Sequence, residues 1–306
     1  GAVVVDAVRR YDGVSMLTSG NVRSGTQLGR DAVHADNQAF MAQAADIAAR
    51  LQGGRGDLAV AVRPEAEIVS SGDLTLAASG WDLQTLKYGS GTSQQAGVLT
   101  LRAGGDLKLD GSLSDAFTTT TTGSGANATT TLNHQGGAHW SYRLVAGSAT
   151  GSADAARTTG PTSDVALEPP GDIVLAAGKV VRTGTGRIDV AAARDVRLAD
   201  AGAVIYTAGT PTSTTSAGTN LVTTDDGFKY GTNPAQAGNN RRVNLPSQGG
   251  EVSVRAGRDV VGAVEKQYIS HWLYRQGAVD AAGQFTTAGG LPQNTAWWPR
   301  FDLFRQ

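Results

Sequence analysis

Residues 171–198 read GDIVLAAGKVVRTGTGRIDVAAARDVRL. Apolar side chains recur two residues apart, at Ile173 and Leu175, at Ile188 and Val190, and at Val196 and Leu198. That is the period of a strand with one buried face. A glycine followed by an optional Asp and an apolar-x-apolar triplet opens the unit, and the same opening recurs at Gly56, Gly72, Gly97, Gly171, Gly186 and Gly250. Second half-units follow at Asp82-Leu83, Asp106-Leu107, Asp195-Val196 and Asp259-Val260. The clean spacings are 16 residues (56 to 72) and 15 (171 to 186), whereas intervals of 25, 74 and 64 show that other sequence interrupts the array.

A unit this short cannot shield its own apolar face. Stacking one unit on the next does so, and periodic repeats of this kind mark stacked architectures. The expected fold is therefore all-β, a parallel β-helix or solenoid, with Leu74, Leu107, Ile173, Ile188, Val252 and Val254 in one buried column. Glycine supplies the corner conformations, and Asp is expected to bond its own backbone in the turn. An antiparallel sandwich would need tight hairpin turns between the repeated strands. Asp12-Gly13, Asp110-Gly111 and Asp226-Gly227 exist but do not lie between them.

Three stretches break the pattern and are read as extrahelical insertions, at about 116–170, 206–248 and 266–300. The first holds a Thr tract, expected as a loop or hairpin edge, and WSYRLV, which alternates like a strand. One short α-helix is expected over about 36–52, where Phe40, Ala44, Ile47 and Leu51 share a face. Asp36 is placed at its start, Arg50 near its end and Gly53 at its stop. The whole of 1–306 reads as one continuous β-helix segment of a larger protein.

Composition narrows the function. The net charge of −1 favours neither nucleic acid nor an anionic membrane surface. With no cysteine there is no disulfide, thiolate metal site or thiol nucleophile, which suits passage through an oxidising compartment. No apolar run is long enough for a transmembrane segment.

The stretches VRPEAEIVSSGDLTLAASGWDL, GVLTLRAGGDLKLDGSLSDAF, WSYRLVAGSA, the run from Gly171 to Gly209, and WWPRFDLFRQ resemble the filamentous haemagglutinin family, the secreted partners of two-partner secretion systems in Gram-negative bacteria. The resemblance covers about 35–306. It implies a right-handed β-helical shaft, export through an outer-membrane pore partner, and a place secreted or on the bacterial cell surface. It also implies adhesion to a host or neighbouring-cell receptor or glycan, or presentation of a distal effector. Neither the family's secretion domain nor a toxin tail is recognisable, so the segment is expected to come from the interior or later part of such a protein.

Three features could carry chemistry. Arg55-Gly56-Asp57 forms an RGD cell-attachment motif, but Gly56-Asp57 is also the repeat's own turn register. Trp140, Tyr142, Trp272, Tyr274, Trp297 and Trp298 fall in or beside insertions, with Arg143, Arg275 and Arg300 nearby. They could bind glycans or proteins, or form satellite cores that hold the insertions in place. The histidines are His34, His134, His139 and His271; only His134 and His139 have metal-pair spacing, in a Gly-rich stretch with no clear third ligand, and all are read as surface or strand-edge residues. GGRGDLAV misses the calcium nonapeptide pattern by one residue. No cofactor, metal or catalytic residue is assigned. A carbohydrate-active β-helix enzyme is the alternative, and would need clustered carboxylates; the repeated strands are read as lacking them. A haem- or metal-binding exoprotein is a further alternative, with no residue pattern to carry it.

Overall fold

The computed structural model describes residues 2–89, 94–125, 128–159, 171–210 and 248–263, together with 278–279 and 285–286. They fall into two compact units. The first takes in Gly1–Pro211 and Pro246–Ala263, the second Thr212–Leu245 and Val264–Gln306.

The first unit is built by repeated passes of the chain. The first pass is β1 (Ala2–Asp12) and β2 (Met16–Thr18). A short hairpin of β3 (Arg23–Ser24) and β4 (Gln27–Gly29) then leads into α1 (Arg30–Met41) and α2 (Ala44–Gln52). The second pass is β5 (Ala59–Ser70), β6 (Leu74–Leu76) and β7 (Trp81–Asp82), and the third is β8 (Val98–Ala103), β9 (Leu107–Leu109) and β10 (Leu113–Ser114). A hairpin of β11 (Phe117–Thr122) and β12 (Thr129–His134) follows. The fourth pass is β13 (Ser141–Ala146), β14 (Ile173–Leu175) and β15 (Val180–Thr183). The fifth is β16 (Ile188–Ala192), β17 (Val196–Leu198) and β18 (Val204–Thr207), and the sixth is β19 (Val252–Ala256) and β20 (Val260–Val261). In the second unit, β21 (Ala278–Val279) and β22 (Phe285–Thr286) pair antiparallel.

Each pass adds one strand to a growing sheet. One sheet runs β1-β5-β8-β13-β16-β19 and is parallel throughout. A second runs β20-β17-β14-β9-β6-β2-β4-β3, parallel except at its last pair, β4 with β3. A third runs β18-β15-β10-β7, also parallel. The fold is thus all-β in its framework, with mostly parallel strands and two helices.

Register produces the core. Ala66, Leu99, Tyr142 and Ile188 stand in line across the first sheet, as do Ile68, Leu101, Leu144 and Val190. In the second sheet Leu74, Leu107, Ile173 and Val196 align, beside Leu17, Leu76, Leu109 and Leu175. All of these are buried and belong to one cluster. Parallel pairing keeps the period-two face in phase from pass to pass, so like stands on like and the apolar faces close over one another. Val252 and Val254 continue the same lines but are each 39% exposed, because β19 is the edge strand of its sheet. The expectation that they are buried is corrected on that ground.

Several other expectations are revised. The single helix over 36–52 is two helices, divided at Gln43, whose backbone is non-helical (φ −104°, ψ 5°). Neither proline nor glycine marks the break. Asp36 does not cap a helix. It lies within α1, and its carboxylate accepts from the Tyr11 hydroxyl at 2.8 Å and pairs with Arg23 at 2.7 Å. Gly53 does end α2, in a left-handed conformation (φ 57°). The stretch 116–170 is not one excursion: β11 and β12 leave as a hairpin, but β13 returns to the first sheet in register. Residues 160–170, 211–247 and most of 266–300 lie outside the described residues.

Candidate functional sites

The Asp of the repeat has a purpose that its own turn does not reveal. The Oδ1 of Asp73 accepts the backbone N–H of Asp106 at 2.9 Å, and that of Asp106 accepts the N–H groups of Gly171 and Asp172, both at 2.9 Å. Asp172 accepts from the N–H of Asp195 at 3.0 Å, and Asp195 from that of Asp259 at 3.2 Å. Asp73, Asp106, Asp172 and Asp195 therefore each cap the next pass, not themselves, and with Asp259 they form a ladder of four rungs beside the second sheet. Cations neutralise it. Arg194 grips Asp172 with two bonds of 2.6 and 2.7 Å, Arg258 grips Asp195 at 2.9 and 2.8 Å, and Lys108 meets Asp73 at 2.6 Å. Burial pushes the Asp172 carboxyl up, but Arg194 and the donated N–H outweigh it and hold the group below the ordinary carboxylate value. Arg258 does the same for Asp195, and Lys108 for Asp73.

Arg55, Gly56 and Asp57 lie on an exposed turn between α2 and β5. The turn is pinned by Arg55 N–H to the Gln52 carbonyl at 3.0 Å and by Leu58 N–H to the Arg55 carbonyl at 3.3 Å. Trp140 and Tyr142 are not a contact surface. They are 2% and 1% exposed and belong to the main core. Trp140 donates its indole N–H to the Leu86 carbonyl at 2.8 Å and meets Tyr88 edge-on. Trp272, Tyr274, Trp297 and Trp298 lie outside the described residues. His134 sits at the hairpin's end, stacked on Phe117, whereas His139 is buried, against the surface position expected of it.

Two polar clusters escaped the sequence reading. Glu65 and Glu67 share the outward face of β5, so one strand does carry paired carboxylates. The pair hides in a stretch that begins with Arg63-Pro64 and does not look like the other repeats. Arg102 holds Glu67 at 2.6 Å, and Arg143 holds Glu65 at 2.9 Å. The segment 148–152 closes over Arg102 through the Ser148 hydroxyl at 3.0 Å and the Ala149 carbonyl at 2.7 Å. Arg102 is 1% exposed. Both carboxylates are thus tied to guanidinium groups, which suits a tether for the 148–152 segment better than acid–base chemistry.

The second cluster surrounds Asp115. Its side chain is fully buried; Oδ1 takes the Lys87 ammonium at 2.8 Å and Oδ2 the Trp140 backbone N–H at 2.5 Å. Ala116, the next residue, has a left-handed φ of 72°, and its N–H donates to the Gln84 side chain at 2.8 Å. A buried non-glycine residue in that region is held there by its surroundings. His139 accepts the Thr185 N–H on Nδ1 at 3.2 Å, leaving Nε2 buried without a partner. Burial lowers both Lys87 and His139 from their ordinary values.

No protein-family model, curated protein or solved structure matches this chain. The geometry alone therefore bears on function. Among the described residues no group of three or more His, Asp or Glu side chains could hold a metal ion. No described helix is long and apolar enough to cross a membrane.

Proposed function

We propose that the chain is a segment of a right-handed parallel β-helical shaft, from a secreted or surface-displayed exoprotein of the filamentous haemagglutinin type. Such a shaft holds an adhesive or effector part away from the bacterial surface. The observation that carries this reading is the aspartate ladder, which fastens the second to the sixth passes, each to the next, by the same bond. A device repeated along an axis suits extension by adding passes, about 4.8 Å for each. The carbohydrate-active alternative needs carboxylates available for proton transfer, and Glu65 and Glu67 are both engaged by arginines.

The proposal includes an outer-membrane pore partner for export, with no nucleic acid or cofactor. The test is to disrupt the pore gene beside the parent gene and follow the protein by surface labelling and in the medium. Loss from both, together with loss of cell or glycan attachment, is the expected result. Undiminished display, or depolymerisation of polysaccharide by the purified chain, would overturn the reading.

A further inference from the structure

We propose that Lys87 and Asp115 condense to an intramolecular isopeptide bond, which staples the turn after β7 to the root of the β11–β12 hairpin. The inference rests on side-chain geometry and does not depend on the shaft reading.

The two residues are 28 apart in sequence and belong to successive passes. The Lys87 side chain is 10% exposed and that of Asp115 is 0% exposed. Water, which would reverse the condensation, is largely kept out of the site. The ammonium already rests on Oδ1 at 2.8 Å, so nucleophile and electrophile are held together before any reaction, which removes most of the entropic barrier. The other oxygen, Oδ2, receives the Trp140 N–H at 2.5 Å. That donor is aimed where negative charge would gather in a tetrahedral intermediate. Asp115 itself cannot swing away: its own N–H donates to the Arg182 carbonyl at 3.0 Å, and the left-handed Ala116 fixes the chain beyond it.

The reaction balances without an outside reagent. The Lys87 nitrogen bonds to Cγ of Asp115, and the bond from Cγ to Oδ1 breaks. Oδ1 leaves as water with two hydrogens from the ammonium, and Oδ2 remains as the amide carbonyl. One cation and one anion become a neutral amide, with no net proton, oxidant or reductant. Burial favours this outcome, since a neutral amide is easier to keep in an apolar site than an ion pair.

Intact-mass spectrometry of the denatured, purified chain tests this. The expected mass lies about 18 Da below that of the sequence, and trypsin is expected to leave Lys87 uncut in a peptide joined to the one containing Asp115. Lys87→Arg and Asp115→Ala should each restore the full mass. Asp115→Asn should form the same amide with loss of ammonia, a deficit of about 17 Da. A wild-type chain at full sequence mass overturns the proposal, whether or not the variants fold. So does a deficit that persists in Lys87→Arg, since dehydration at an Asp-Gly step such as Asp110-Gly111 would then account for it.

Discussion

Asp172 shows what a single rung of the ladder contributes. Its carboxylate serves Arg194, Arg197 and the N–H of Asp195 together, and it is 7% exposed. Asp172→Ala would take two bonds from Arg194 and leave the backbone N–H of Asp195 without this acceptor, at a cost of about 2–3 kcal/mol. Urea unfolding should register that loss, while Asp57→Ala, on an exposed turn, should stay within about 0.5 kcal/mol of wild type. The same residues set the acid response. Asp73, Asp172 and Asp195 titrate below their unfolded value of 3.8. Their stabilisation is therefore complete above that value and lost as pH falls beneath it. The histidines act earlier. Burial holds His34, His134 and His139 below 6.5, so the unfolded chain binds their protons first and stability starts to fall as pH drops through 6.5. A two-stage decline in the urea midpoint between pH 7 and 2 is expected, and Asp172→Asn should shrink the second stage only. The glycine-aspartate openings were plain in the sequence. Their partners were not, because the acceptor and donor of one rung lie 33, 66, 23 or 64 residues apart.

At the level of the strand, β13 explains where sequence reading failed. It follows a Thr-rich hairpin and precedes a polar stretch, so Tyr142, with Trp140 just ahead of the strand, looks like part of an insertion. Register places Tyr142 between Leu99 and Ile188. Only the pairing discloses this, since alternation alone says that a segment is a strand and not which strands flank it. The Tyr142 hydroxyl is buried without a partner. Tyr142→Phe should therefore keep or raise stability, by up to about 1 kcal/mol, in urea unfolding. Turns are just as particular. A methyl group on Gly186 would run into the Trp140 carbonyl, whereas one on Gly56 would meet nothing. Gly186→Ala is expected to cost about 3 kcal/mol or more, and Gly56→Ala almost nothing, by thermal or urea melts. The helices were legible in type but not in extent. The stripe from Phe40 to Leu51 suggested one element, while the residues that α1 buries, Ala32, Val33 and Asn37, fall mostly ahead of it.

Over the whole first unit, every strand of the three parallel sheets is bonded only to the passes beside it. Damage should therefore stay local. Leu175 stands between Leu109 and Leu198 and is fully buried. Leu175→Asp would bury an unpaired charge, at a cost of several kcal/mol. Hydrogen exchange should show lost protection at β9, β14 and β17 with β1 and β5 spared. In the unaltered chain, amides of β8 and β13 should exchange more slowly than those of β19 and β20, whose valines are 39–60% exposed. The all-β class was readable because its strand signal is repeated; the Glu65–Arg143 and Lys87–Asp115 contacts were not, because each occurs once.

Because every aspartate rung makes the same bond, the ladder would accept a chain displaced by one whole pass as readily as the correct one. The safeguard against such miscounting must lie in the features that occur a single time: Trp140 seated against Gly97 and Gly186, Arg102 under its lid of 148–152, and Lys87 meeting Asp115. Uniform parts give this molecule its growth rule, and the exceptions tell each turn of chain its address.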